Sequence, residues 1–303
     1  MKKKTPITLS IIILILISSG IYLHFENTKL QVSNYSIEKY SLPSDFNDYK
    51  IMQISDFHNT KSKSLTHDLI QEIQKQKPNI IVITGDLIDA NKTDVATAIN
   101  FINEIKEMAP IYFVTGNHET STSEYSLLKE QLKNNGVIIL DGEATPLKKN
   151  DSKINLIGVS DPSSIHDSFI EDSEIVKGEM NSLEYDKNNF TILLSHRPEL
   201  FDTYVEEKIN LVLTGHAHGG QIRIPFIGGV IAPNQGFFPK YTSGVFEEKD
   251  TTMIVSRGIG NSILPFRINN RPELVVITLH HKENETVCKG NSKIIWVAFF
   301  MVY

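Results

Sequence analysis

Cysteine is almost missing: Cys288 is the single one in 303 residues. No intramolecular disulfide can form and no cysteine-based zinc site can be built, so any metal must be held by His, Asp, Glu or Asn. An excess of positive charge is missing too. The net charge is −6, which argues against a nucleic-acid groove and removes nucleic acid from the expected partners. Internal repeats, low-complexity blocks, a lipobox cysteine and a twin arginine are all absent. What remains is an ordinary globular composition, 40% hydrophobic and 22% charged, long enough for one large α/β domain or two modest ones.

The amino terminus departs from that ordinary pattern. Lys2, Lys3 and Lys4 precede an uncharged, Ile- and Leu-rich run over residues 5–23, close to the roughly 20 residues a helix needs to cross a bilayer. The lysines favour a cytoplasmic amino terminus. The expectation is a single-pass signal anchor in the cytoplasmic membrane, residues 1–27 with a short polar connector, and a catalytic domain on the extracytoplasmic side. A cleaved signal peptide is the rival, although no clear small-x-small cleavage site is present. At the other end, residues 283–303 form a tail that closes on an apolar run too short to span a bilayer. An extra strand, an interfacial tail and an aberrant terminus all remain open for it.

Between these ends runs a strand–helix rhythm. Residues 49–54 read as a strand, and Leu65, Leu69, Ile70 and Ile73 mark a helix ending before Pro78. Residues 80–83 form the next strand, and Val95, Ile99, Ile102, Ile105 and Met108 make a helical stripe that stops at Pro110. A third strand occupies 111–114, and Ser121-x-x-Glu124 reads as a capping box opening a further helix. Strands follow at 154–159, 190–194 and 209–213, preceded by an early one with Leu30, Val32, Tyr35 and Ile37 alternating. This alternation argues for a sheet flanked by helices. From Gln221 to Leu279, short apolar stretches separated by Gly, Pro and Asn suggest hairpins of a second sheet. One catalytic domain over residues 28–282 is the economical division.

The residues that follow the strands carry the chemistry. Ser55-Asp56-Phe57-His58, Thr84-Gly85-Asp86-Leu87-Ile88-Asp89, Thr115-Gly116-Asn117-His118-Glu119, Ser195-His196-Arg197 and Thr214-Gly215-His216-Ala217-His218 each begin where an apolar run ends. Open α/β sheets bind ligands at the carboxyl ends of their strands. Five strand ends therefore deliver imidazoles, carboxylates and an amide to one edge, a donor set suited to divalent Zn, Fe or Mn. Asp56/His58 and His216/His218 are spaced i, i+2, so each pair converges if the strand continues. Any one of these motifs alone has a bland reading as a turn or a hydrogen-bonded structural histidine. Five of the chain's ten histidines in such motifs, in order, do not.

These blocks together resemble the signature of the calcineurin-like metallophosphoesterases, over about residues 50–221. Gly219-Gly220-Gln221 and Ser256-Arg257-Gly258-Ile259-Gly260 are similar to the membrane-associated bacterial branch, which includes UDP-diacylglucosamine pyrophosphatase-like phosphodiesterases. The resemblance implies an α/β fold of the four-layer αββα sandwich type with its site on one edge. It also implies two divalent metal ions (Mn, Fe or Zn). One would be held by Asp56, His58, Asp86 and His218, the other by Asp86, Asn117, His196 and His216, with Asp86 as bridge. His118 looks like the family's catalytic histidine, stabilising or protonating the leaving-group oxygen, with Asp89 orienting it. The cations would polarise phosphoryl oxygens and make hydroxide from water near neutral pH.

The implied function is dimetal-dependent hydrolysis of a phosphodiester or pyrophosphate bond by metal-activated hydroxide, on a cell-envelope or lipid-linked phosphate-ester substrate. The rivals are a phosphomonoesterase or nucleotidase for phosphate scavenging, and a non-catalytic metal-binding module. Ala90 stands where phosphoprotein phosphatases carry an arginine, which weakens a Ser/Thr phosphatase reading. Arg197, Arg257 and Arg267 are candidate phosphate contacts, with structural arginines as the alternative. Asp161 reads as a turn residue, and the acidic stretch from 167 to 179 as a solvated helix or loop. Phe226, Ile227, Phe237 and Phe238, with Gly228-Gly229, form either an apolar lip for a lipid-linked substrate or the core of a hairpin.

Overall fold

The computed structural model describes residues 5–165, 169–261 and 266–283. Lys2, Lys3, Lys4, Cys288 and the tail from residue 284 lie outside the described residues, as does the start of the acidic stretch.

Two six-stranded sheets lie face to face. The first runs in the order β1 (Gln31–Lys39), β16 (Glu273–His281), β2 (Tyr49–Ile54), β3 (Ile80–Thr84), β4 (Ile111–Val114), β5 (Ile138–Ile139). Its β2 to β5 are parallel, and β16 pairs antiparallel to β2 and parallel to β1. The second sheet runs β14 (Gly244–Glu248), β15 (Thr251–Val255), β9 (Leu211–Thr214), β8 (Thr191–Leu194), β7 (Ser152–Gly158), β6 (Glu143–Lys149). Its middle strands are parallel, with an antiparallel hairpin at each end.

Side-chain alternation explains the architecture. In β3, Ile81 and Ile83 face the helices α2 (Lys63–Gln76), α3 (Val95–Ile105) and α5 (Tyr125–Asn134), while Ile80 and Val82 face the second sheet. Tyr112 and Val114 of β4 do the same against Ile111 and Phe113. Such strands are apolar at every position because both faces are buried. A third apolar layer packs Leu193, Val212 and Met253 beneath α6 (Asp172–Ser182) and α7 (Phe201–Glu206). Three apolar layers between four structural ones make the αββα sandwich that the resemblance implies.

Three details differ from the sequence reading. The alternating strands divide between two sheets rather than one, and the late strands do not form one further sheet: β14 and β15 join the second sheet, β16 returns to the first, and the short stretches over residues 223–237 make two separate two-stranded ribbons. The capping box at Ser121 is not formed. Ser121 ends the short helix α4 (Asn117–Thr120), and Glu124 precedes α5 without a side-chain cap. Helix α1 (Thr5–Thr28) also runs through the polar stretch expected to be a connector. Among the described residues it is the one helix long and apolar enough to cross a membrane. Its Leu and Ile side chains from Leu9 to Ile21 are exposed.

Candidate metal centre

The expected metal-site residues meet at one edge, where the carboxyl ends of β2, β3 and β4 of the first sheet face those of β8 and β9 of the second. Gln53 ties the two sheets beneath them, donating to Thr84 Oγ1 (3.0 Å) and to Thr214 O (2.8 Å). The pairs Asp56/His58 and His216/His218 do converge, though not by strand pleat. Strands β2 and β9 stop at Ile54 and Thr214, and all four residues, with Asp86, adopt left-handed φ between 46° and 65°. Asp, Asn and His are the side chains that most often tolerate this region, at a cost of about 1 kcal/mol or more each. The turns, rather than the pleat, set the direction of these side chains.

Three groups result, two of which share Asp86. Asp56, His58, Asp86 and His218 offer ligand atoms within 4.8 Å of one another, as do Asp86, His196 and His216, and a third group joins His58, Asp89 and His118. His58 Nε2 lies 3.1 Å from His218 Nε2, and His218 Nε2 lies 3.3 Å from Asp56 Oδ1. In the second cluster His196 Nε2 lies 3.1 Å from His216 Nδ1, 3.2 Å from Asn117 Oδ1 and 3.2 Å from Asp86 Oδ2. Asp86 Oδ2 is also 3.7 Å from His58 Nε2, so this one oxygen stands between the groups. His196 Nδ1 donates to Thr84 O at 2.8 Å, which leaves Nε2 aimed inward.

Electrostatics fits cations at this point. Burial holds His58 down to about 4 and His216 and His218 well below the ordinary imidazole value, so these rings are neutral donors of lone pairs. Neutral imidazole nitrogens facing each other at 3.1 Å repel unless a proton or a cation lies between them. Burial, reinforced by the neighbouring Asp86 charge, raises Asp56 to about 6. Burial also opposes charge on His196, but Asp86 overrides it and lifts the ring to about 10, while Asp86 is pulled well below the usual carboxylate range. Two buried carboxylates, three neutral imidazoles and His196, whose proton a cation would displace, are the chemistry of a site that could hold divalent metal ions.

A model of the calcineurin-like phosphoesterases matches residues 49–220. The chain belongs to that family. This metallophosphoesterase is 29% identical over 261 residues to metallophosphoesterase YkuE of Bacillus subtilis, covering 84% of this chain and 87% of the relative. It is 27% identical over 237 residues to phosphodiesterase YaeI of Escherichia coli, covering 76% and 82%. A Bos taurus transmembrane protein with a metallophosphoesterase domain is 27% identical over 266 residues, which is 82% of this chain and 56% of that protein.

In this metallophosphoesterase His118 sits on the outer side of the clusters, its Nε2 4.0 Å from Asp86 Oδ2 and its ring edge-on to His58. Its Nδ1 accepts the Ala90 N–H at 2.9 Å, which places the ring proton of the neutral form on Nε2. Asp89 Oδ1 stands 4.0 Å from that Nδ1 and accepts instead from the Asn91 and Lys92 N–H groups. Asp89 thus meets His118 through the turn that carries Ala90.

The three arginines expected near phosphate are engaged within the fold. Arg197 is buried and forks onto Asp161 through Nε (2.6 Å) and Nη2 (2.8 Å), so Asp161 is an ion-pair partner as well as a turn residue. Arg267 is fully buried, donating to the Arg257 and Gly260 carbonyls and to Asn261 Oδ1, with Nη2 3.4 Å from His218 Nδ1. Arg257 reaches Gln31 Oε1 at 3.3 Å and lies 3.8 Å from Glu273. After His218, Gly219 and Gly220, both at positive φ, admit the Asn270 side chain and the Gly229 backbone.

Glu119 is the residue whose role the sequence reading missed. Fully buried, it accepts the N–H groups of Asp86 (2.8 Å), Ile88 (3.0 Å) and Gly116 (2.8 Å), clamping two ligand-bearing turns together. Its position at the third residue of a helix opened by Gly116 was the available signal.

Proposed function

We propose that the chain hydrolyses a phosphodiester or pyrophosphate bond at a two-cation centre, on a cell-envelope or lipid-linked substrate. The observation that carries this reading is Asp86 Oδ2, shared between two groups of buried imidazoles and acidic or amide oxygens. Asp56, His58, Asp86 and His218 would hold one ion, and Asp86, Asn117, His196 and His216 the other, with Mn, Fe or Zn as candidates. Bound there, divalent ions supply positive charge that polarises a phosphoryl oxygen and makes water more acidic. His118, carrying its proton on Nε2, is placed to hydrogen-bond or protonate the departing oxygen. The Ala90 N–H holds that ring, Asp89 shapes the turn that carries Ala90, and Glu119 holds the Asp86 and Gly116 turns.

The diester preference draws support from the similarity to a relative named phosphodiesterase. The membrane setting draws support from α1 and from a relative named as a transmembrane protein. In this reading residues 1–27 anchor the chain in the cytoplasmic membrane, and residues 28–282 form the catalytic unit on the extracytoplasmic side. An envelope substrate like those of the UDP-diacylglucosamine pyrophosphatase-like branch is the natural extension.

The test is hydrolysis by the full chain in detergent with manganese, comparing an activated phosphodiester with its monoester, beside Asp86→Asn. Diester cleavage lost in the variant supports the reading. Preference for the monoester replaces it with phosphate scavenging. Manganese bound without turnover of either ester favours a binding module.

A further inference from the structure

Immediately after His218 the chain makes two small ribbons, β10 (Arg223–Ile224) with β11 (Gly228–Gly229), and β12 (Ile231–Ala232) with β13 (Gly236–Phe237). Their apolar side chains are not the core of a hairpin. Phe226 is wholly exposed, and Ile227, Phe237 and Phe238 are each more than 60% exposed. Phe226 and Phe238 also adopt φ of 68° and 53°. A bulky side chain at such a turn is uncommon and costs on the order of 1 kcal/mol where Gly or Asn would cost little. The fold gains no packing in return, so the apolar tips are there for something outside it.

The position of the ribbons identifies that neighbour. Asn269 joins them to α1: its Oδ1 accepts from Tyr22 Oη, and its Nδ2 donates to Arg223 O at 3.1 Å. Arg223 N–H donates to Ile268 O, and Arg267 and Asn27 exchange two hydrogen bonds, 2.7 and 3.1 Å. Glu26 accepts the Asn270 N–H at 2.9 Å. The second ribbon is tied to the first, Phe238 N–H donating to Val230 O and Val230 N–H to Ile222 O. Helix α1 has 24 residues, about 36 Å against a hydrocarbon core of about 30 Å; apart from the small hydroxyls of Thr5, Thr8, Ser10, Ser18 and Ser19, its polar and amphipathic side chains, Tyr22, His24, Glu26, Asn27 and Thr28, fall in the last two turns. The helix therefore leaves the core near Tyr22, one side chain away from the start of the first ribbon. Lys240, two residues past Phe238, adds positive charge suited to anionic headgroups, and Arg271, 5.5 Å over the Phe25 ring, is paired with Glu26 at 3.7 Å.

We propose that the two ribbons insert the apolar tips Phe226, Ile227, Phe237 and Phe238 into the headgroup–acyl boundary of the leaflet from which α1 emerges. This rests on the membrane-anchor reading above and deepens it. Gly220 at the end of the His218 turn abuts Gly229 at the base of the ribbons, so seating the tips in lipid brings the metal-site edge down to the level of headgroup phosphates. Helix and ribbons then form a two-point mount, the first fixing the chain in the bilayer and the second fixing which edge faces it.

Tryptophan placed at the tips reads this directly. Trp296, the only one in the chain, is replaced by Phe. Phe226→Trp, Phe237→Trp and, as control on the far edge strand β5, Ile138→Trp are then made in that background. The full-length variants are reconstituted in phosphatidylethanolamine–phosphatidylglycerol vesicles whose acyl chains carry bromine near the headgroup. The expected result is blue-shifted emission at 226 and 237 with most of it quenched, and no quenching at 138. Unquenched tips on chains that stay with the vesicles through an alkaline wash would overturn the proposal and leave the anchor standing. Blue-shifted but unquenched tips would mean that protein, such as a second copy of the chain, covers them, and also overturns it. Release of the chain by the wash overturns both proposal and anchor.

Discussion

Replacing Glu119 by Gln tests whether one buried carboxylate holds the metal-site turns. Oε2 accepts from Asp86 and Gly116 and Oε1 from Ile88, so every bond runs from a backbone donor to the side chain. An amide has a single acceptor oxygen. Its best orientation keeps that oxygen on the Asp86 and Gly116 pair and turns its NH2 toward the Ile88 N–H. A buried donor left unpaired costs about 1–3 kcal/mol, and the two surviving bonds lose their charge assistance. An opposing effect exists: burial and the nearby Asp86 charge push the Glu119 carboxyl up to about 8, so removing its charge relieves some repulsion. The net expectation is a loss of about 2 kcal/mol, or a melting midpoint lower by about 4–8 °C for a chain of this size. Thermal unfolding in detergent with chelator reads the stability, and metal analysis after manganese loading reads the site, which should fill less completely as Asp86 shifts. A variant that melts with the parent and binds as much metal would refute the clamp.

Two further outcomes follow from the same geometry. His118→Asn should lower diester turnover by about 10²–10⁴-fold at unchanged metal content, because His118 lies outside the two groups that share Asp86 while its Nε2 stands 4.0 Å from Asp86 Oδ2; loss of metal would make it a ligand, through the group it forms with His58 and Asp89, and contradict its placement. The chelated protein should lose stability as pH rises from about 6.5 to about 10. His196 is held charged by Asp86 with its value raised to about 10, so its contribution is complete below the unfolded imidazole value and disappears through the folded one. Manganese should flatten that slope in urea titrations across pH, and an equal slope with and without metal would count against the assignment.

The sequence by itself offered the candidate donors, and packing brought them to one edge. Asp56, His58, Asp86, Asn117, His196, His216 and His218 were legible because metal chemistry needs those residue types and because each ends an apolar run that can only be a buried strand. The αββα layering came with the family resemblance, while the apolar runs showed only that strands were buried on both faces. Which strand joins which sheet was not legible, since periodicity carries no information about partners: β16 reads like the end of a late hairpin yet pairs between β1 and β2. Nor was the fate of the charged residues. Arg197, Arg267 and Glu119 look like surface or substrate groups in one dimension, and only packing shows that Asp161, a ring of carbonyls and three N–H groups are what they meet. The apolar ribbons stood undecided between lip and core for the same reason. A run of Phe and Ile is equally consistent with either, and exposure is a property of what the rest of the chain leaves uncovered.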